Sequence, residues 1–212
     1  MKLAERWPDR PVIGLDSSPS MLAAARKEFG DRGITWQDGD IAAWRATEPC
    51  ALVFANAALH WVPDHPALFP RLMSNITPGG ILAVQMPVTS QAQYHAGIAE
   101  LLALPAWETR LAGIRSHDHP LTAGAYYDIL KPLAGQIDIW ETHYHHAMPD
   151  MAAVVNWTRG TALAPYLSAL DPAGQQDFLA AYGRILAPAY AAQADGQILF
   201  TMRRIFIVAR RA

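Results

Sequence analysis

Three polar side chains follow short apolar runs in the first part of the sequence, where predicted strands end. Asp16 closes residues 12–15, Asp40 follows residues 34–37, and Asn56 follows residues 51–55. A carboxylate that closes such a strand can accept hydrogen bonds from ribose hydroxyls, as in dinucleotide-binding folds. For Asp16 alone, a helix N-terminal acid that favours the helix dipole is an equally good interpretation.

Asp40 strengthens the prediction of a nucleotide site. It follows Gly39 and precedes apolar Ile41, so that a carboxylate can take an adenine amino group while the next backbone N–H meets the ring. The alternative is an aspartate that only stabilises a turn.

Histidines and one cysteine are the other candidates for chemistry. Small residues after Asn56 allow a ligand close to the backbone, and His60 either faces a substrate or is a solvated loop histidine. The histidines at 143, 145 and 146 suggest a metal, but no neighbouring cysteine or acid pair completes a zinc set, so we predict none. Cys50 precedes an apolar strand with no paired base, and we expect a structural thiol.

Composition excludes several classes of protein. The net charge is -2 and no run of five like charges occurs, so a nucleic-acid partner is not expected. A single cysteine excludes a disulfide framework. No apolar stretch approaches the ~20 residues of a membrane span. We therefore predict a cytoplasmic protein with no membrane partner.

Secondary-structure elements must bring these polar residues together at one edge of a sheet. Apolar strands alternate with amphipathic segments, which predicts an α/β fold with a parallel sheet covered on both faces. Ligands in such sheets bind at the carboxyl ends of the strands. The predicted strands are 12–15, 34–37, 51–55 and 81–85, and the predicted helices are 21–29 and 66–76.

The second half predicts a helical insertion. Helices are expected at 94–104 and 126–133, and strands at 137–144 and 198–209. Residues 151–191 are mostly helical and lie between the last two strands, which is too long for a simple loop. We predict a core at 1–149, a helical cap over the active site at 150–196, and a final strand returning to the core sheet at 197–212.

Several segments together resemble a known family. The stretches 12–22 and 38–41 resemble the second-strand and adenine motifs of class I S-adenosylmethionine-dependent methyltransferases, which have a Rossmann-like sheet. The stretches 54–65, 72–80, 85–87, 140–142, 155–161 and 204–211 are similar to the trans-aconitate 2-methyltransferase family. The resemblance covers nearly the whole chain.

The resemblance implies S-adenosylmethionine-dependent methyl transfer to a carboxylate of trans-aconitate, giving a monomethyl ester. In that family's pattern Asp16 would hold the ribose, Met21 would pack near the adenine, and Asp40 and Ile41 would read the adenine edge. The cofactor-binding residues implied are Asp16, Ser17, Met21, Asp40, Ile41 and Asn56.

One family feature is missing from the sequence. The family begins with a strand and a loop of the type Gly-x-Gly-x-Gly, whereas residues 1–11 contain no glycine. We expect a truncated chain or a late start codon, and a sheet that lacks its first strand between the strands ending at Asp16 and Asn56.

A carboxylate nucleophile needs no general base, so the site's work would be alignment and water exclusion. Arginine binds carboxylates bidentately. The candidate substrate-binding residues are His60, Trp61, Tyr144, Trp157, Arg159 and Arg204. Ordinary alternatives are a core role for Trp157 and solvated arginines.

The predicted partner is a small-molecule tricarboxylate, and a monomer is expected. The alternatives are a methyltransferase of another small-molecule or carrier-bound substrate, and a chain without cofactor binding or activity. A dehydrogenase is disfavoured, because the dinucleotide fingerprint is missing and the Asp40 motif has no role there.

Overall fold

The computed structural model describes residues 2–30, 32–89, 92–114 and 120–212. The chain divides into two compact units, Met1–Cys50 and Ala51–Ala212. The first unit contains helix α1 (Lys2–Arg6), strand β1 (Val12–Asp16), helix α2 (Pro19–Phe29) and strand β2 (Ile34–Asp38).

Helix α2 begins two residues before its predicted start. Ser18 is the N-cap, and its side chain accepts a hydrogen bond from the Met21 backbone N–H at 3.4 Å. Pro19 follows the cap, where its fixed φ suits the first turn and its missing N–H costs nothing. Ser18 rather than Asp16 therefore caps this helix.

Strands β1 and β2 pair in parallel, from Val12 opposite Ile34 to Asp16 opposite Asp38. A Cβ on Gly14 would lie 2.4 Å from the Trp36 ring, so that the close packing of this ring requires glycine. Helix α2 packs against both strands. The prediction that both faces of β1 are buried is wrong, since Ile13 is 49% exposed; one helix covers one face of a two-stranded sheet.

The second unit has a four-stranded sheet with the order β3-β4-β6-β5. Its strands are β3 (Cys50–Asn56), β4 (Ile76–Val88), β5 (Ala134–Met148) and β6 (Ile198–Arg211). Strand β6 runs antiparallel to both β4 and β5. The sheet is therefore mixed rather than all parallel, because the chain leaves β5, passes through helices and returns beside it in the opposite direction. The prediction of full burial also fails for β3, where Phe54 is 55% exposed.

The helices of the second unit separate into two groups. Helix α3 (His65–Ser74) packs against β4, and helix α6 (Ala123–Leu130) packs against β5. The others are α4 (Gln93–Leu102), α5 (Pro105–Glu108), α7 (Met151–Arg159), α8 (Ala164–Leu167) and α9 (Pro172–Leu186), with 3₁₀ turns at Leu59–Trp61 and Ala187–Ala189. Within the described ranges no helix is long and apolar enough to cross a bilayer.

Strand β4 is longer than predicted and takes residues from the expected helix end. Helix α3 ends at Ser74, and Ile76, which is fully buried, already belongs to the strand. The segment Pro78-Gly79-Gly80, just beyond the predicted helix 66–76, lies within β4, where Gly79 has a φ of 77°. That backbone conformation is accessible to glycine at no steric cost.

Helices α7, α8 and α9 lie between β5 and β6, and they pack with an earlier part of the chain. Helices α7, α8 and α9 share one apolar core with α4 and α5, which includes Tyr94, Trp107, Tyr166, Phe178 and Tyr182. Whether this layer acts as a cap stays a prediction.

Candidate functional site

The two predicted carboxylates of the first unit lie at the same edge of its sheet. Asp16 ends β1, and its backbone oxygen accepts a hydrogen bond from the Gly39 N–H at 3.1 Å. Asp40 is the next residue after Gly39. One oxygen of each carboxylate also accepts a backbone N–H at 2.8 Å, from Ser18 and from Ala42 respectively. Both carboxylates therefore have a fixed orientation while being exposed to solvent.

This edge suits an adenosine-containing cofactor. A carboxylate has about four acceptor sites, so that one backbone hydrogen bond leaves capacity for ribose hydroxyls or an amino group. Met21 is 59% exposed in the first turn of α2 and offers apolar surface. Ser17 is exposed and Ile41 is half-buried. Asp40 also stabilises a turn, as its alternative interpretation proposed, and Asp16 accepts the backbone N–H of Ser18, the N-cap of α2; both roles are compatible with cofactor binding.

The second unit contains a cavity of about 370 Å³ at the carboxyl end of β3 and across β4, β6 and β5. It brings together four residues predicted from the sequence with three that were not. The predicted ones are Asn56, Tyr144, Trp157 and Arg204, and the others are Gln85, His146 and Phe206.

Strand register explains why these residues meet. Gln85 lies opposite Phe206 on neighbouring strands, and Arg204 lies opposite Thr142. Because side chains alternate across a strand, Arg204 and Phe206 share one face of β6, which is also the face of Gln85. The residues of β4 and β6 on the opposite face, such as Val84 and Ile205, are buried.

Arg204 supplies the fixed positive charge of this cavity. Its Nη1 donates a hydrogen bond to Gln85 Oε1 at 3.0 Å, and its guanidinium carbon lies 5.8 Å from the centre of the Tyr144 ring. The guanidinium is thus held between an amide and an aromatic face, in a geometry that favours a planar anion. Its charge also acts on Tyr94: burial raises the pKa of Tyr94 to about 12, Tyr190 adds to the shift, and Arg204 opposes it.

Aromatic rings form the walls of the cavity. The rings of Tyr144 and His146 are nearly parallel, with centres 6.4 Å apart, and the Trp157 ring lies 5.2 Å from His146. On the other side, Phe206 stacks on Trp140 at 5.0 Å and 4°. Flat walls beside a guanidinium suit a conjugated carboxylate.

The structure does not place His60 and Trp61 in this cavity. They lie in the 3₁₀ turn Leu59–Trp61 after β3, with ring centres 4.7 Å apart, and Trp61 is 48% exposed. His65 stabilises this turn, because its Nε2 lies 3.0 Å from the Leu59 carbonyl oxygen.

Arg159 is also separated from Arg204. It lines a second cavity of about 370 Å³ together with Met151, Val155 and Leu179 of α7 and α9. Residues two apart on a helix point roughly 200° away from each other. Trp157 and Arg159 therefore face different cavities, and the expectation that they bind one ligand is not met by this geometry.

The three histidines of β5 do not converge. His143 and His145 share one face of the strand, with ring centres 6.5 Å apart, whereas His146 lies on the other. His145 Nδ1 is 2.9 Å from Thr201 Oγ1. In the part of the chain that the structure describes, no three metal-binding side chains are grouped. Cys50 is half-buried, and this burial raises the pKa of its thiol, which fits a structural role.

Gln85 is the residue that sequence reasoning passed over although a signal existed. Gln85 is a polar side chain between the apolar residues Val84 and Met86. A glutamine in such an apolar run is unusual unless its amide binds a protein group or a ligand. Phe206 and His146 carried no such signal, because their place depends on pairing between distant strands.

Comparison of the sequence with known proteins finds a matching family model and similar enzymes. Residues 1–80 match the family model described as "Methyltransferase domain". The trans-aconitate 2-methyltransferase of Acidovorax ebreus is 44% identical over 211 residues, covering 99% of this chain and 81% of that protein. The enzyme of the same name from Azoarcus sp. is 43% identical over 210 residues, with the same coverage.

Solved structures show the fold. YcgJ protein from Bacillus subtilis matches with a TM-score of 0.60 at 12% identity, over 99% of this chain and 87% of that one. Phosphoethanolamine N-methyltransferase 2 of Haemonchus contortus, solved with S-adenosylhomocysteine, matches with a TM-score of 0.54 at 16% identity, over 100% of this chain and 46% of that one. The α/β fold predicted from the sequence is thereby confirmed as that of the class I methyltransferases.

Proposed function

The chain belongs to the trans-aconitate 2-methyltransferase family of S-adenosylmethionine-dependent methyltransferases, and on that basis we propose that it methylates a carboxylate of trans-aconitate. The product is a monomethyl ester. The observation that carries the choice of an anionic, conjugated substrate is the Arg204 guanidinium in a cavity with aromatic walls.

The cofactor would be held by the first unit. Asp16 is assigned to the ribose hydroxyls and Asp40 to the adenine amino group, since both carboxylates are exposed and oriented by backbone N–H groups. Met21 and Ile41 supply apolar contact with the adenine, and Ser17 adds a polar group beside Asp16. Asn56 belongs to the second unit, and its contact with the methionine moiety stays a prediction.

The proposed methyl transfer requires no proton transfer by an acidic or basic side chain of the protein. When bound, S-adenosylmethionine would supply a methyl group on a cationic sulfur, and a carboxylate oxygen of the substrate would accept that methyl group with its own lone pair while the sulfur keeps the electron pair of the broken bond. No proton moves, so we assign no general base. The residues around the cavity would instead orient the acid, with Arg204 as its charged contact and Tyr144 and Trp157 as walls.

We propose a monomer acting on a small molecule, with no nucleic-acid or membrane partner. For His60, Trp61 and Arg159, a substrate contact would have to lie outside the cavity of Arg204.

The test is methyl transfer by the purified chain from methyl-labelled S-adenosylmethionine, with products identified by mass. The expected result is a trans-aconitate monomethyl ester. Labelling of a different small-molecule or carrier-bound acid, with trans-aconitate untouched, would overturn the substrate assignment. The absence of labelled product and of any cofactor-binding heat would overturn the enzymatic function as a whole.

A further inference from the structure

Gln85 presents a buried amide donor to the cavity of Arg204. Its side chain is only 6% exposed, and its Oε1 accepts the hydrogen bond from Arg204 Nη1 at 3.0 Å. Since arginine only donates, the oxygen of the amide must face Arg204, which fixes the orientation of the NH₂ group. Among the residues that the structure describes, Gln85 Nε2 has no hydrogen-bond partner.

A buried donor without a partner is unfavourable, and most such groups in folded proteins are satisfied. Gln85 and Arg204 both line the cavity, so a ligand there can accept from both. The acceptor that suits an amide NH₂ beside a guanidinium is an anion with two oxygens in one plane. A carboxylate meets this description.

That carboxylate should not be the one that is methylated. The reacting carboxylate loses its negative charge as the ester forms, so that a cationic clamp would stabilise its ground state more than its transition state and slow the reaction. A carboxylate that keeps its charge throughout is bound equally in both states. Such a contact lowers KM without raising the barrier.

We propose that Gln85 and Arg204 form a two-donor site for a second, unreacting carboxylate of the substrate, so that the enzyme selects acids with at least two carboxylates. This inference rests on the proposed function, and it adds Gln85 as a specificity-determining residue. The aromatic walls Tyr144 and Trp157 then bound the rest of the acid.

The variant Gln85→Glu retains an oxygen for Arg204 and removes the NH₂ donor, but it also adds a negative charge. Gln85→Leu removes both polar groups without adding a charge, so the loss of the donor is judged from the two variants together. We expect KM for trans-aconitate to rise about ten- to a hundredfold in each variant, as for loss of a hydrogen bond to a charged group, with kcat changed by less than about twofold. The matched control is Gln193→Glu on the exposed surface, which should leave KM unchanged.

Two competitors of equal carbon skeleton test the requirement for two carboxylates. Fumarate has two, and crotonate has a methyl group in place of one. Fumarate should compete with trans-aconitate at least about tenfold better than crotonate in the wild type, and this advantage should shrink in Gln85→Leu. An unchanged KM in both Gln85 variants, or an equal loss for fumarate and crotonate, would overturn the proposal.

A binding experiment separates this proposal from the proposed function. Calorimetry with trans-aconitate in the presence of S-adenosylhomocysteine requires no turnover. Weaker binding in Gln85→Leu than in the wild type supports the two-donor site even if no ester forms, in which case only the reaction assignment fails. Equal binding in the two proteins would overturn the site.

Discussion

Tyr126 Oη lies 2.6 Å from His65 Nδ1, and this buried contact connects α6 to the first residue of α3. His65 Nε2 lies 3.0 Å from the Leu59 carbonyl oxygen, which can only accept, so the histidine tautomer has its hydrogen on Nε2. His65 Nδ1 therefore accepts the Tyr126 hydroxyl, which itself accepts the Leu121 N–H at 3.1 Å. The carbonyl oxygen thus fixes the histidine tautomer, and the hydroxyl supports the turn that follows β3 through the histidine.

Replacing this hydroxyl should destabilise the fold. Tyr126→Phe leaves His65 Nδ1 and the Leu121 N–H without their partner, and we expect a loss of about 1–3 kcal/mol in the free energy of unfolding. Urea denaturation measures it. The neighbouring Tyr127 is 44% exposed, so Tyr127→Phe is the matched control and should cost almost nothing. Equal stability of the two variants would show that the buried network contributes little.

The two arginines should differ in their effect on the substrate. Arg204→Lys keeps the charge and loses the planar fork, so that KM for trans-aconitate should rise about tenfold or more. Arg159→Lys changes the other cavity and should leave KM close to the wild-type value. Steady-state kinetics of both variants make the comparison. A larger effect at Arg159 would assign the acid to the second cavity instead.

The two carboxylates of the first unit should govern cofactor affinity. Asp16→Asn and Asp40→Asn each replace an acceptor oxygen by a donor, and each should weaken S-adenosylmethionine binding about ten- to a hundredfold. Calorimetry gives the Kd. Asp9→Asn alters an exposed acid of the same unit and serves as the control. If all three variants bind alike, the predicted cofactor contacts are wrong.

Alkaline pH should unfold the protein through its buried tyrosines. Burial raises the pKa of Tyr94 and of Tyr190 from 10.0 to about 12. Between these values the unfolded chain releases protons that the folded state retains, so that stability is present below pH 10 and falls as pH rises toward 12. Urea midpoints measured over this range test the slope. Tyr94→Phe should reduce the slope, and an unchanged slope would count against burial as its cause.

The backbone after β3 is strained at Ala57, which has a φ of 51°. Ala57→Val should destabilise the protein by about 1–2 kcal/mol, because a β-branched side chain is disfavoured in that conformation. Ala57→Gly should be close to neutral, since relief of strain offsets the greater freedom of the unfolded chain. Ala58→Val is the control, as Ala58 has a φ of −121°. Thermal unfolding distinguishes these outcomes, and equal losses at both positions would argue against strain.

Local signals in the sequence were sufficient for the strands that hold Asp16 and Asn56. Each is a short apolar run bounded by polar or turn-forming residues, and each boundary was predicted to within one residue. The start of α2 was predicted two residues too late, because Pro19 and Ser20 belong to the first turn of the helix and not to the segment before it. These features depend on neighbours in the chain.

The cavity depends on distant pairing, and there the sequence was less informative. Resemblance to a family indicated Asn56, and the affinity of arginine for carboxylates indicated Arg204, but the position of Gln85 beside Arg204 follows from the register of β4 against β6. Helix periodicity alone puts Trp157 and Arg159 on different sides of α7, but which cavity each side meets follows from the packing of α7 against β5 and α9. Neither register nor helix orientation is encoded by composition or periodicity alone.

The most direct test is a crystal structure of the protein with S-adenosylhomocysteine and trans-aconitate. We expect one carboxylate of the acid within about 3 Å of both Gln85 Nε2 and the Arg204 guanidinium, with the conjugated system between the aromatic walls. An acid bound at the Arg159 cavity, or one held by Arg204 with Gln85 Nε2 still unpartnered, would contradict it.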